Sequence, residues 1–151
     1  ARLNAGAAGI AELLKTERLK LAVDRLAYFS HWITPVGAPR RYDTRFFLAV
    51  APEEQEALHD NQETIHHVWI SPAEALERYR KGRLKMRTPT IKTLEDFVRY
   101  PTTSALVSAM RARTDIQAIL PRINARGERL LPGDPRYDAP DTVGRRGPWK
   151  M

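Results

Sequence analysis

Four short stretches between Tyr28 and Leu94 decide how this chain is expected to fold. They read Tyr28-Phe-Ser-His-Trp-Ile-Thr-Pro35, Arg40-Arg-Tyr-Asp-Thr-Arg-Phe-Phe-Leu-Ala-Val50, Glu63-Thr-Ile-His-His-Val-Trp-Ile-Ser-Pro-Ala-Glu-Ala-Leu76 and Thr88-Pro-Thr-Ile-Lys-Thr-Leu94. The first three are rich in aromatic and β-branched residues, which favour strands. The third stretch ends in a helix-start signal, and the fourth opens with one.

The three predicted strands differ in their expected burial. Residues 26–33 end at Thr34-Pro35, which suits a strand that runs into a turn. Residues 42–50 are apolar through most of their second half, so we expect a central strand that is covered on both faces. Residues 64–70 form the third predicted strand.

The helix after the third strand has the clearest boundaries. Ser71 can cap its first turn, Pro72 suits the first helical position, and Glu74 completes a capping box. Gly82 is placed to end the helix. Apolar residues at helical spacing predict three more helices, at 9–17, from 88 onward and at 102–113.

The order of strands followed by helices indicates the α+β class. From residue 116 onward the chain is rich in Pro, Gly and Arg, and Ala125-Arg-Gly127 could turn a small hairpin. Beyond residue 132 we expect an extended or disordered tail. The predicted division is therefore 1–115 for the main domain and 116–151 for the tail.

Composition limits the kind of protein. The 25 Lys and Arg residues outnumber the 18 Asp and Glu residues, which makes the surface attractive to anions. A solvated basic surface, a phosphate-rich small ligand and nucleic acid all fit this balance, and we rank nucleic acid last. There is no cysteine, no apolar run long enough to span a membrane and no signal-peptide pattern, so we expect a cytoplasmic protein.

The order and spacing of the four stretches resemble the second half of a Nudix hydrolase. The likeness is closest to the branch of the coenzyme A and acyl-CoA diphosphatases, and it covers roughly residues 13–99. The resemblance implies part of an α/β/α sandwich around a mixed sheet. It also implies hydrolysis of a nucleoside diphosphate linked to another moiety, by use of Mg²⁺ or Mn²⁺, with a phosphorylated small molecule as the substrate.

The Nudix box, Gly-x5-Glu-x7-Arg-Glu-x2-Glu-Glu-x-Gly, is absent from the 151 residues. In the resembled family its glutamates hold the metal ion, so no metal ligand is assigned here. We expect this chain to be a fragment of a longer protein and inactive alone. A partial sheet would expose strand edges and an apolar face, so we also expect low stability or assembly into a homo-oligomer.

The resemblance implies a substrate-binding role for Arg41 and Asp43, because the family's Arg-Tyr/Phe-Asp-Thr motif lies at the cleft. An arginine fork can bind two phosphate oxygens at once. Solvation of a sheet edge is the alternative for Arg41 and the favoured interpretation for Arg40 and Arg45. Pairing with Arg41 or a backbone N–H is the alternative for Asp43, since an Asp beside a buried strand needs a partner.

Glu63 is the best catalytic candidate in the sequence. In Nudix enzymes the loop before this strand approaches the active site, and in some members a Glu there acts as general base or extra metal ligand. A solvated loop residue is the alternative. Trp32 could stack on a substrate base, but a core or cleft-wall position is the favoured interpretation.

The histidines do not predict a further site. His66 and His67 are adjacent on a predicted strand and point to opposite faces, so they do not suit one metal ion. His31 and His59 are too isolated to support an argument. Two further functions stay open: a non-catalytic Nudix-like module that binds nucleotides or a protein, and a basic nucleic-acid-binding domain.

Overall fold

The central strand of the described structure is β1, Ala27–Ile33. It pairs antiparallel with β2, Asp43–Leu48, and parallel with β3, Ala118–Ile119, so the strand order is β2-β1-β3. The computed structural model describes Gly6, residues 9–52 and residues 68–139. Together with four helices this mixed sheet confirms the predicted α+β class and is consistent with part of a Nudix-type fold.

An irregularity in β1 explains which of its side chains are buried. Phe29 and Trp32 are three residues apart and would point to opposite faces of a regular strand. The pairing with β2 shifts between Tyr28 and Ser30, which inserts one extra residue in β1. The bulge lets Phe29 and Trp32 both be buried, at 6% and 5% exposure.

The expectation of a central, doubly covered strand at 42–50 is wrong for the described residues. In this part of the chain β2 is an edge strand, and its side chains are exposed or half-buried. Phe46 contacts Phe29 on the buried face, whereas Phe47 is 53% exposed on the other face. A run of apolar residues therefore supplies one packed side chain and one exposed side chain here.

The described contacts divide the chain into two compact units. The first unit contains helix α1 (Ile10–Thr16), a 3₁₀ turn (Val23–Arg25), α2 (Pro72–Arg80) and α3 (Thr88–Phe97). In this unit α2 packs against α3. The second unit contains β1, β2, β3, helix α4 (Thr103–Arg111) and a short pair of strands, β4 (Arg122–Ile123) and β5 (Arg129–Leu130).

Local signals set the ends of α2 as predicted, except that the Glu74 carboxylate accepts a hydrogen bond from Arg78 Nη2 instead of closing a capping box. The Ser71 hydroxyl accepts a hydrogen bond from the Glu74 backbone N–H at 3.2 Å, and Pro72 occupies the first turn. At the other end Gly82 has φ +68°, and the Arg83 N–H donates to the Arg78 carbonyl at 2.8 Å. This is the Schellman arrangement, which favours glycine at the left-handed position.

The start of α3 differs slightly from the prediction, and α4 begins at Thr103, one residue later than predicted. Thr88 is the first residue of α3 rather than its cap, and Arg87 stands in the cap position without a side-chain hydrogen bond. Val98 follows the helix and is 45% exposed. In α4, Met110 is fully buried.

The hairpin and the turns after it form an ordered assembly. Strands β4 and β5 pair antiparallel across a turn in which Gly127 has φ +76°. Residues 131–139 form successive turns, so this part of the tail is neither extended nor disordered as expected. The Tyr137 hydroxyl donates to the Leu120 carbonyl at 2.7 Å, and the Arg122 guanidinium lies 4.1 Å from the Tyr137 ring centre.

Some predictions concern residues outside the described ranges. The third predicted strand lies mostly there, and its last three residues, 68–70, are not in a strand. The division into 1–115 and 116–151 stays a prediction. No helix in the described ranges is long and apolar enough to cross a lipid bilayer.

Candidate functional site

A single residue closes the loop between β1 and β2. The Thr34 backbone N–H donates to the Tyr42 carbonyl at 2.9 Å, and its hydroxyl accepts from the Tyr42 N–H at 3.0 Å. The Thr34 carbonyl accepts a third hydrogen bond, from Arg41 Nε at 3.1 Å. Inside the loop Gly37 has φ +90°, a backbone conformation that other residues rarely adopt. These bonds fix the start of β2 relative to the end of β1.

The hydrogen bond to Thr34 anchors Arg41 through Nε. Arg41 is exposed, and its side chain is tied to the backbone rather than left to rotate about all of its bonds. A guanidinium held in one orientation loses less entropy when it binds a phosphate group. The geometry therefore suits the predicted contact with a diphosphate, although the role itself stays a prediction.

Three side chains form a polar cluster on the β1–β2 pair: His31, Asp43 and Arg45. The Asp43 Oδ1 atom lies 2.6 Å from His31 Nε2 and 3.3 Å from Arg45 Nη1. The His31 side chain is 14% exposed, against 40% for Asp43 and 56% for Arg45. One carboxylate oxygen therefore meets two basic groups at the surface of the sheet.

Strand register explains why these three residues meet. His31 is directly opposite Arg45, and Asp43 is opposite Ile33. Alternate residues of a strand share a face, so His31 and Ile33 lie on the same face as Asp43 and Arg45. Sequence reasoning expected a partner for Asp43 but did not identify His31, because a pairing twelve residues apart depends on the strand register.

The same face carries an aromatic pair, and the opposite face carries Trp32. The rings of Tyr28 and Phe47 are 5.3 Å apart between centroids, and Phe47 is largely exposed. Trp32 is 5% exposed on the packed face of the sheet. This burial suits a core position for Trp32, and its stacking on a substrate base stays a prediction.

A second charged cluster, Glu128, Asp134 and Arg136, holds the tail turns to the hairpin. Arg136 Nη1 donates to Glu128 at 2.8 Å, and the Arg136 N–H donates to Asp134 at 2.8 Å. A hydrogen bond from the Asn124 amide, followed by the charge of Arg136, lowers the pKa of Glu128. The backbone and side-chain hydrogen bonds from Arg136 lower the pKa of Asp134. The Asp134 hydrogen bond and charge raise the pKa of Arg136 in return.

The described residues offer no ready metal site. Within residues 9–52 and 68–139, no three His, Asp or Glu side chains are arranged to hold a metal ion. Glu63, His59, His66 and His67 lie outside these ranges, so the geometry of the catalytic candidate is not described. Within the described ranges, the side chains therefore do not form the metal centre that the resemblance implies.

Comparison with known proteins points to one family. The model of the NUDT19 Nudix domain matches residues 9–97. The chain is 32% identical over 132 residues to the acyl-coenzyme A diphosphatase NUDT19 of Gallus gallus, which covers 80% of this chain and 35% of that protein. It is 30% identical over 116 residues to the protein of the same name from Homo sapiens, covering 72% and 31% respectively.

A third relative is the acyl-coenzyme A diphosphatase NUDT19 of Xenopus laevis, 26% identical over 145 residues. This chain spans about a third of the length of the curated relatives it matches. No solved structure matches it significantly. The family-model match over residues 9–97 and the identity to these relatives define a Nudix-type domain, and the mixed sheet is consistent with it. The chain belongs to the Nudix superfamily, in the NUDT19 branch that contains the coenzyme A diphosphatases.

Proposed function

We propose that this chain is part of a hydrolase that cleaves a nucleoside diphosphate linked to another moiety, with coenzyme A or an acyl-coenzyme A as substrate. The family match over residues 9–97 carries this proposal, because it includes the loop that anchors Arg41 and presents Asp43. The names of the relatives extend the proposal to the substrate class.

In this proposal Arg41 binds the diphosphate. Its bond to Thr34 holds the guanidinium at the mouth of the β1–β2 loop, where a fork of N–H donors can meet two phosphate oxygens. Asp43 acts indirectly, because its carboxylate is paired with His31 and Arg45. It fixes the first residues of β2 and therefore the backbone that carries Arg41. Glu63 is the proposed group that accepts a proton from the attacking water.

Nudix hydrolases generally use a divalent metal ion, and this sequence lacks the box whose glutamates hold that ion in the family. The box is absent from the sequence, and the described residues form no metal-binding group. We therefore propose that the Mg²⁺ or Mn²⁺ ligands belong to a longer parent protein. It follows that these 151 residues alone bind substrate without hydrolysing it.

A comparison of two proteins tests this proposal. One is the present chain, and the other is a parent protein that carries a Nudix box in front of it. Each is incubated with CoA, acyl-CoA, NADH and ADP-ribose in Mg²⁺ or Mn²⁺, and phosphorus-containing products are measured. We expect turnover by the parent protein only. Turnover by the chain alone would show that it contains a different metal site. An inactive parent protein would refute the proposed hydrolase activity.

A non-catalytic Nudix-like module is the second candidate, and the missing box favours it. Such a module would keep a nucleotide- or protein-binding surface without the chemistry. Calorimetric titration with the same four nucleotides distinguishes the two functions. Binding to both proteins with hydrolysis by neither would support the module, whereas binding with hydrolysis by the parent protein would support the enzyme.

A further inference from the structure

One segment accounts for the net positive charge of this chain. Residues 78–94 contain seven Lys and Arg residues and no Asp or Glu. The net charge of the whole chain is +7, so the remainder is neutral overall. Composition alone ranks nucleic acid last among the partners of a basic surface. Because residues 78–94 carry no acidic residue, nucleic acid ranks higher as a partner for the surface that these residues form in the first unit.

Only part of this charge is neutralised by neighbouring residues. Arg78, Lys81 and Lys92 each lie within 2.7 Å of a glutamate oxygen about one helical turn away. Four further cations are exposed, and their side chains make no hydrogen bond or ion pair with any residue that the structure describes. These four, named here the cationic strip, are Arg80, Arg83, Lys85 and Arg87.

The cationic strip runs along the chain from the last residue of α2 through the connection to α3. Between 83 and 87 the exposed residues Arg83, Lys85 and Arg87 alternate with the half-buried Leu84 and Met86. Alternate Cα atoms along a chain are at most about 7 Å apart, so this connection carries three exposed cations within a short length of chain. The cationic strip leads directly into the first turn of α3, whose positive end has the same sign.

A series of unpaired cations repels itself, so a matching series of anions would stabilise it. The two phosphates of a diphosphate share an oxygen and lie too close together to match alternate residues. Successive phosphodiesters of a nucleic acid strand are separated by a sugar and are spaced more widely. The apolar residues between these cations, Leu84 and Met86, are half-buried and not fully exposed, which disfavours insertion into a membrane surface.

An aromatic residue stands beside the cationic strip. Tyr79, in the last turn of α2, immediately precedes Arg80 and is 38% exposed. Proteins that bind single strands combine basic residues for the backbone with aromatic rings for the bases. We propose that the cationic strip binds the phosphodiester backbone of a single-stranded nucleic acid. This proposal concerns residues other than those of the proposed hydrolase site.

The test compares two variants with the same loss of charge. The strip variant is R83Q/K85Q/R87Q, and the control is K15Q/R18Q/K20Q. The control residues are also exposed, but Glu12 shortly precedes them and Glu17 lies between the first two in the sequence. Arg87 makes no side-chain cap bond, so its replacement removes no cap from α3. Thermal melts followed by circular dichroism establish that both variants fold like the unmodified chain.

Binding is measured by fluorescence anisotropy with a short labelled oligothymidine at several KCl concentrations. Each phosphate contact to a single strand contributes about 0.7 to the slope of log K against log[salt]. We expect the strip variant to lose about 2 from that slope, which corresponds to three contacts, while the control keeps the slope of the unmodified chain. An equal loss in both variants, or no binding by the unmodified chain, would overturn the proposal.

Two further measurements identify the source of the phosphate. Inorganic tripolyphosphate is added as a competitor, and vesicles with anionic phospholipid are tested for strip-dependent binding. We expect the oligonucleotide to outcompete tripolyphosphate at equal phosphate concentration and the vesicles to bind weakly. Displacement by tripolyphosphate at equal concentration would instead make the strip a site for small polyphosphates. Tighter strip-dependent binding to vesicles would make it a membrane contact.

Discussion

His31 and Asp43 form a diagonal contact between β1 and β2, with 2.6 Å between Nε2 and Oδ1. Neither residue is directly opposite the other, because the register pairs His31 with Arg45 and Asp43 with Ile33. The contact therefore fixes the two strands against sliding at the end where β2 begins. Arg41 lies two residues before Asp43, so its position depends on the same register.

Replacement of Asp43 tests the strength of this contact. Asp43→Asn keeps the shape of the side chain but removes the charge that His31 and Arg45 share. We expect a loss of about 0.5–1 kcal/mol in the free energy of unfolding, because the carboxylate is 40% exposed. Urea unfolding measures the loss, with the exposed Asp24→Asn as the control. If Asp43→Asn and His31→Gln add without coupling in a double-mutant cycle, the two side chains do not stabilise one another.

Met110 tests the packing of α4. It is fully buried, so Met110→Ala should leave a cavity and cost about 2–5 kcal/mol in the free energy of unfolding. Ser108→Ala, at an exposed position of the same helix, should change the stability by about 0.5 kcal/mol or less. Urea unfolding of both variants provides the measurement. Similar values for the two would show that α4 is not packed as described.

Acid should weaken the cluster that holds the tail turns. Because Glu128 and Asp134 have a lowered pKa in the folded protein, the folded state binds fewer protons than the unfolded state in mildly acidic solution. Their contribution is complete above the unfolded pKa values of about 4 and is lost as the pH falls through the lowered values. Urea unfolding between about pH 7 and pH 2 should show this loss, and Glu128→Gln should make it smaller. An unchanged acid limb in Glu128→Gln would contradict the assignment.

Local signals in the sequence were sufficient for α2. The cap at Ser71, Pro72 in the first turn and Gly82 past the last turn all act within a few residues, so the sequence predicted both ends. The order of the predicted strands and helices was likewise sufficient to predict the α+β class. The turn at Gly127 lies where the sequence favoured a hairpin.

Features that depend on distant parts of the chain were not predictable in this way. The bulge at Phe29 and the edge position of β2 depend on the pairing of two strands. The contact between His31 and Asp43 depends on the same register. The tail turns depend on contacts made by Tyr137 and Arg136 with the hairpin, which no periodic pattern encodes.

The role of Arg41 can be measured in a parent protein that carries a Nudix box. If Arg41 holds the diphosphate, Arg41→Ala should mainly raise KM, and a contact made only in the transition state would also lower kcat. Arg41→Lys is the matched variant, because it keeps the charge but loses the fork that contacts two oxygens. Steady-state kinetics with acyl-CoA gives both constants. Unchanged KM and kcat in Arg41→Ala would show that Arg41 does not bind the diphosphate and is a solvated residue at the sheet edge.

Glu63 can be tested in the same parent protein. If its carboxylate accepts a proton from the attacking water, Glu63→Gln should lower kcat by about 10²- to 10⁴-fold, the usual contribution of an acid–base residue. The substitution keeps the size of the side chain and removes only its charge, so folding should be preserved. Glu54→Gln is a suitable control, because it removes the same charge from a residue that no Nudix spacing connects to the reaction. A normal kcat in Glu63→Gln would make Glu63 a solvated residue and leave the glutamates of the box as the source of the chemistry.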